Sequence, residues 1–192
     1  NNYPDPMDVF GKYGADAVRY YLATSPVMKA DDLHFSEKGV DEVVKKVLLI
    51  LLNVLSFYKM FESETEAGTK SENVLDKWIL SRLESLKKEI TDGYNKYDLN
   101  RATKPIVGFI DELSTWYLRR SRERFKSDNK KEAVQTLKYV LLELSKIMAP
   151  VMPFIADYIY QELGGKLESV HLEDWPDAKG KFTDKKLEEK ME

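Results

Sequence analysis

The chain has 192 residues and a net charge of −3, with 43% hydrophobic and 33% charged side chains, as expected of an ordinary globular chain of one domain or two small ones. It has no cysteine, which excludes disulfides, thiol nucleophiles and cysteine-type zinc sites, and its two histidines, His34 and His171, lie far apart in sequence. The longest apolar run, 47–52 resuming after Asn53, falls far short of the roughly 18 residues of a membrane span, and the sequence reads without a signal peptide, so a cytoplasmic protein is expected.

In chain order, Pro4 and Pro6 fix an extended start. Asp5 is placed to cap a short helix with Pro6 in its first position, where proline is favoured. That helix holds Met7, Val9 and Phe10 and ends at Gly14. A second spans 15–23, turns Ala17, Val18, Tyr21 and Leu22 inward, and stops at Ser25-Pro26. Residues 27–35 read as a loop carrying Lys29, Asp31, Asp32 and His34. A long helix then begins at Ser36, with Val40, Val43, Val47, Leu51, Val54, Tyr58 and Phe61 at helical spacing. Asn53 interrupts its most apolar part and reads either as a satisfied buried amide, the preferred reading, or as a polar contact at a groove. Residues 62–73, acidic and aperiodic, read as a solvated linker.

The next helix covers 74–94, with Leu75, Trp78, Ile79, Leu83, Leu86 and Ile90 inside and Lys77, Arg82, Lys87 and Lys88 off the stripe. Asp98 or Asn100 caps a fourth, kinked near Pro105 and running to Phe125 or Lys126. Its stripe is Ile106, Phe109, Ile110, Leu113, Trp116 and Tyr117. Continued by three and four residues, the stripe meets Arg120 and Arg124, which are therefore expected to point inward and pair with carboxylates. Arg119, Arg122 and Lys126 fall on the wet side. Four of the chain's seven arginines lie within 116–125, a local basic spot on a slightly acidic body. Trp116 reads as core rather than as a stacking platform.

A turn at 127–129 leads to a helix over 130–148, broken by Ala149-Pro150-Val151-Met152-Pro153. Pro153 starts a sixth helix with Phe154, Ile155, Tyr158, Ile159 and Leu163 inward, closed by Gly164-Gly165. Residues 169–175 read as extended, with Val170, Leu172 and Trp175 packed. The tail 177–192 reads as a helical start or a frayed end. The fold class predicted is all-α: an antiparallel helical bundle preceded by a small helical segment.

No catalytic constellation can be assembled. There is no glycine-rich phosphate loop and no nucleophile elbow, and the carboxylates are scattered. His34 beside Asp32 is a weak acid–base pair that a histidine in a turn explains as well.

Several stretches nevertheless resemble class I aminoacyl-tRNA synthetases of the isoleucine type. They are Asn2-Tyr3-Pro4-Asp5-Pro6, Lys12-Tyr13-Gly14-Ala15-Asp16-Ala17-Val18-Arg19, Ser25-Pro26-Val27 and Asp32-Leu33-His34-Phe35-Ser36-Glu37. Further on come Trp116-Tyr117-Leu118-Arg119-Arg120-Ser121-Arg122, Ala149-Pro150-Val151-Met152-Pro153-Phe154-Ile155-Ala156 and Glu168-Ser169-Val170-His171-Leu172-Glu173-Asp174-Trp175-Pro176. The resemblance covers about residues 1–176. The Tyr-Gly-Ala-Asp-Ala-x-Arg run is shared with the valine and leucine enzymes, whereas the tryptophan-arginine stretch with the Ser-Val-His-Leu run points to isoleucine.

The resemblance implies a fragment without the catalytic and editing domains. Residues 1–70 would be a stem-contact segment with the first long helix, 71–176 an anticodon-binding bundle, and 177–192 a tail. ATP and Mg would belong to the complete enzyme, with no cofactor or metal in this chain. Its partners would be isoleucine tRNA and the missing catalytic domain, against which residues 3–19 would pack, and the chain would be a monomer. The basic residues then read as tRNA contacts: Arg119, Arg122 and Lys126 on phosphates, with Arg101, Lys104 and Arg82 as flanking contacts. The competing reading is a helical protein–protein interaction bundle, which would show an exposed apolar patch instead of gathered cations.

Overall fold

A computed structural model describes residues 4–62, 66–127, 130–178 and 180–191. Asn2 and Tyr3 of the first quoted stretch and Asp128-Asn129 of the turn at 127–129 lie outside the described residues, among which every regular element is helical.

Helix α1 (Pro6–Tyr13) starts as its prolines predict, with the Asp5 carboxylate accepting the Met7 N–H at 2.8 Å. Helix α2 (Ala15–Ala23) follows, then a 3₁₀ turn at Pro26–Lys29. The first long rod is compound: α3 (Glu37–Val43), a π-helical turn at Val44–Leu48, and α4 (Leu49–Phe61). The returning rod, α5 (Val74–Asn95), is capped by Asn73. Asp98, not Asn100, caps α6 (Leu99–Thr103) by accepting the Arg101 N–H at 2.9 Å. The chain then runs through α7 (Pro105–Asp111), a π-helical stretch at Glu112–Leu118, and α8 (Arg119–Lys126). Helices α9 (Lys131–Met148) and α10 (Pro153–Glu162) complete the bundle, and α11 (Lys185–Met191) lies on α5.

The apolar stripes of these rods meet in one core running from Val9 to Val170. Two stretches of the resemblance meet where α2 is tied to the proline-rich turn. Arg19 donates to the carbonyls of Pro150 and Val151 at 3.1 and 3.2 Å, and Asp16 accepts the N–H of Ile155 at 2.7 Å at the start of α10. The first turn of α10 has orphan N–H groups, and a buried carboxylate from another helix satisfies two of them, Phe154 at 3.4 Å as well as Ile155.

The bundle departs from the sequence-based expectation in several places. Phe154 and Tyr158 are exposed, because Ala156, Ile159 and Tyr160 take the inward face of α10, and of the 169–175 stretch Leu172 and Trp175 are exposed while Val170 is buried. In α2 the buried tyrosine is Tyr20, whose hydroxyl donates to the Thr103 carbonyl at 3.1 Å. The end of the acidic linker is docked rather than solvated: Ser71 is buried and donates to Asp76 at 2.6 Å and Glu132 at 2.9 Å. The tail is folded. Glu188, 3% exposed, accepts from Ser81, Ser85, Arg82 and Lys185.

The turn between α5 and α6 is tight because of Gly93. A Cβ there would lie 2.7 Å from the backbone of Ala102, so only glycine lets α6 sit this close to α5.

Candidate nucleic-acid interface

The basic stretch inherits its geometry from the π-helical turns just before it. A π turn holds one residue more than an α turn, so a stripe carried across it slips by about one position. The buried positions after Leu113 are accordingly Tyr117, Leu118, Ser121 and Phe125. The uniform helical period had placed Arg120 and Arg124 there. For Arg120 the expectation fails: its guanidinium lies outside, 3.7 Å above the Trp116 ring, a cation–π arrangement that leaves one planar face to solvent. Trp116 is half-buried, packed on Trp78 at 6.4 Å beneath that guanidinium.

Arg124 does reach inward, from the edge of the stripe. Its two terminal nitrogens donate to the two oxygens of Asp76 at 2.9 and 2.8 Å, and the Tyr117 hydroxyl donates to the same carboxylate at 2.8 Å. Asp76 is fully buried. Burial, then the adjacent Asp76 charge, pushes the Tyr117 hydroxyl well above its ordinary pKa, so it remains a donor. This arginine is part of the scaffold.

Arg119 and Arg122 are exposed and stand together. With Ser114 and Leu118 they line one wall of a cleft of about 320 Å³, and Asn53, Val54 and Phe57 of α4 line the other. The preferred reading of Asn53 as a buried amide is overturned: it is exposed at the rim, opposite the two arginines. Its signal was visible in the sequence, a polar residue breaking an apolar run, but the π turn that brings the 114–122 face to it was not. The cleft therefore combines two guanidiniums, an amide with donor and acceptor edges, a hydroxyl and an apolar floor.

Lys126 lies one turn further on and pairs with Glu123 at 3.2 Å, both exposed, a contact too weak to hold it from another anion. Arg101 and Lys104 are exposed near the far end of the same rod, on the order of 25 Å away at the rise of a helix. Arg82 does not join either group. It makes a two-pronged contact with Glu112 at 2.8 and 2.9 Å and a third with Glu188 at 3.2 Å; Glu112 above all holds its pKa up. Its donors are committed within the fold, unlike the expectation of a flanking contact, which needs them free for an outside phosphate.

The family model for the anticodon-binding domain of tRNA ligases matches residues 76–192, more than half of the chain. The chain belongs to this family. It is 45% identical to the isoleucine–tRNA ligase of Protochlamydia amoebophila over 202 aligned positions, which cover all of this chain and 20% of that protein. It is 46% identical to the isoleucine–tRNA ligase of Chlamydia trachomatis serovar D, covering 92% of this chain and 18% of that one. The chain thus spans about a fifth of the length of these relatives. Its fold matches that of a LeuRS from Agrobacterium radiobacter K84, solved in a ternary complex with tRNA and LeuAMS. The TM-score is 0.69 at 21% identity, over 94% of this chain and 22% of that one.

Among the described residues of this anticodon-binding chain, no three His, Asp or Glu side chains converge as a metal site, and no helix is long and apolar enough to cross a membrane.

Proposed function

We propose that this chain is the anticodon-arm recognition part of an isoleucine–tRNA ligase, and that the cleft between α4 and α8 receives the RNA. The observation that carries the reading is the convergence of Arg119, Arg122 and Asn53 on one cleft in a member of the anticodon-binding family. Arg119, Arg122 and Lys126 hold backbone phosphates and set position. The Arg120 plane on Trp116 offers an unstacked anticodon base a stacking surface, and the Asn53 amide offers a base edge both a donor and an acceptor. Arg101 and Lys104 make flanking phosphate contacts. The same fold in a LeuRS–tRNA complex is consistent with this use.

In this reading residues 1–70 form the stem-contact segment, 71–176 the anticodon-binding bundle and 177–192 a tail that braces α5. ATP-dependent activation of isoleucine and its transfer to tRNA belong to the rest of a longer protein, working as a cytoplasmic monomer. One observation favours a protein neighbour at the N-terminal end. Val9, Phe10, Val18, Leu22, Val27 and Phe35 line an apolar cleft of about 500 Å³, and Met7 beside it is 71% exposed. That face is the docking surface for the catalytic domain.

The test is a titration of the chain against isoleucine tRNA and against the same tRNA with a changed anticodon. Tighter binding of the cognate molecule, lost in Arg119→Ala/Arg122→Ala and in Asn53→Ala, is the expected result. Equal affinity for both tRNAs would reduce the cleft to a non-specific anion site.

A further inference from the structure

The turn that joins α5 to α6 carries a side chain the fold does not use. Tyr97 is 97% exposed, the highest value of any large hydrophobic residue described. Its backbone is left-handed, at φ 56°. The turn imposes this conformation. The Asp98 N–H reaches back to the Gly93 carbonyl at 3.0 Å and the Tyr97 N–H to the Tyr94 carbonyl at 3.0 Å, the closure that ends a helix with one left-handed residue. Glycine is the usual occupant and asparagine the next; a bulky aromatic there is an outlier. A tyrosine thus stands where folding favours glycine, and its ring is left to solvent.

The neighbouring sequence is basic. Lys96, Arg101 and Lys104 are exposed beside the ring in sequence, and among the described residues no carboxylate is paired with any of the three. The near acid, Asp98, caps α6 through the Arg101 N–H and keeps its charge, so the 96–104 stretch carries three cations against one acid. Arg101 also lines a groove of mixed charge between α5 and the tail, with Glu84, Glu89 and Asp92 among its acids. An exposed aromatic ring flanked in sequence by exposed cations is the composition of a single-stranded nucleic-acid contact: the ring stacks on a base and the cations hold the flanking phosphates.

We infer that Tyr97 is a second RNA contact, a post on which an unpaired nucleotide outside the anticodon loop stacks, with Lys96, Arg101 and Lys104 on its flanking phosphates. The inference rests on the tRNA reading above and adds a point of contact on the order of 25 Å from the α4–α8 cleft, at the opposite end of the same rod.

The experiment compares the wild-type chain, Tyr97→Gly, Tyr97→Phe and Arg119→Ala/Arg122→Ala, each titrated with whole isoleucine tRNA and with an isolated anticodon stem-loop, alongside thermal unfolding. Tyr97→Gly is expected to weaken whole-tRNA binding roughly 5- to 150-fold, the range for one lost base–aromatic stack, with an unfolding midpoint unchanged or raised. Tyr97→Phe keeps the ring and is expected to bind as wild type. The isolated stem-loop is expected to bind wild type and Tyr97→Gly alike. Wild-type affinity of Tyr97→Gly for whole tRNA would overturn the inference, and a loss in the cleft variant alongside it would leave the tRNA reading standing. A lowered unfolding midpoint in Tyr97→Gly would overturn it too, by making the side chain structural. Absence of tRNA binding by the wild-type chain would overturn the tRNA reading itself, and this inference with it.

Discussion

Arg119, Arg120, Arg122 and Arg124 share one chemistry and have three different fates, decided by where each side chain emerges. Arg124 forms a two-pronged ion pair with a carboxylate that has no access to water. Removing one partner of such a pair strands the other, which costs more than the pair itself contributes. Asp76→Ala is therefore expected to destabilise the bundle by about 3–5 kcal/mol, because it strands Arg124 and removes the acceptor of Tyr117 and Ser71. Arg119→Ala and Arg122→Ala touch no such network and are expected to stay within about 0.5 kcal/mol of wild type. Denaturant unfolding of the three variants separates scaffold from interface without reference to RNA. If Asp76→Ala unfolds at the wild-type denaturant concentration, the buried network has been assigned the wrong role.

At the scale of elements, the inner stripes of the first two rods were legible because a long run of apolar residues at one period overdetermines a helix face. Val40, Val47, Leu51 and Tyr58, and Ile79, Leu83, Leu86 and Ile90, are buried as their spacing predicts. The face of α8 was not legible. Nothing in Glu112–Leu118 advertises a π turn, and the buried positions beyond it, Ser121 and Phe125, lie one residue on from where an unbroken period puts them. That slip alone moved Arg120 from core to surface and hid the pairing of Asn53 with Arg119 and Arg122. The α5–α6 contact was equally silent, since a lone Gly93 reads as a weak point in a helix until the backbone of Ala102 is seen against it. Gly93→Ala is expected to cost more than about 2 kcal/mol, because backbone rather than a flexible side chain must give way, and a drop in unfolding midpoint measures it.

The docking of α11 has a sign in pH. Burial opposes the Glu188 charge, but hydrogen bonds from Ser81, Lys185, Ser85 and Arg82 outweigh it and hold its pKa below the ordinary 4.5. A carboxylate with a depressed folded pKa stabilises above its unfolded pKa and loses that contribution as pH falls through the folded one. The tail is thus expected to stay docked at neutral pH and to loosen as pH falls below about 4.5, read as the onset of pepsin cleavage within 180–191. Glu188→Gln is expected to remove this pH dependence. Cleavage with the same onset in that variant would assign the transition to another group.

Taken whole, the molecule carries a net charge of −3, so any attraction to a polyanion must come from its surface arrangement rather than its total charge. Among the described residues many lysines and arginines off the proposed RNA face are committed to acids, as Lys87 shows. It is 2% exposed, and Glu143 at 2.6 Å overcomes the burial that opposes its charge and raises its pKa. The cations that the proposed RNA face keeps for an outside anion lie along one rod: Arg119, Arg122 and Lys126 near one end, Arg101 and Lys104 near the other. Each phosphate neutralised releases counterions and contributes roughly −0.7 to −0.9 to the slope of log affinity against log salt. Engagement of all five should give a slope of roughly −3.5 to −4.5, and Arg101→Ala/Lys104→Ala should flatten it by about 1.5. Arg82→Ala should leave it unchanged, because that guanidinium is already neutralised by Glu112 and Glu188. A slope that Arg82→Ala flattens as much as the double variant does would mean that the internal pairs open when RNA binds, and that the rod's free cations do not alone define the interface.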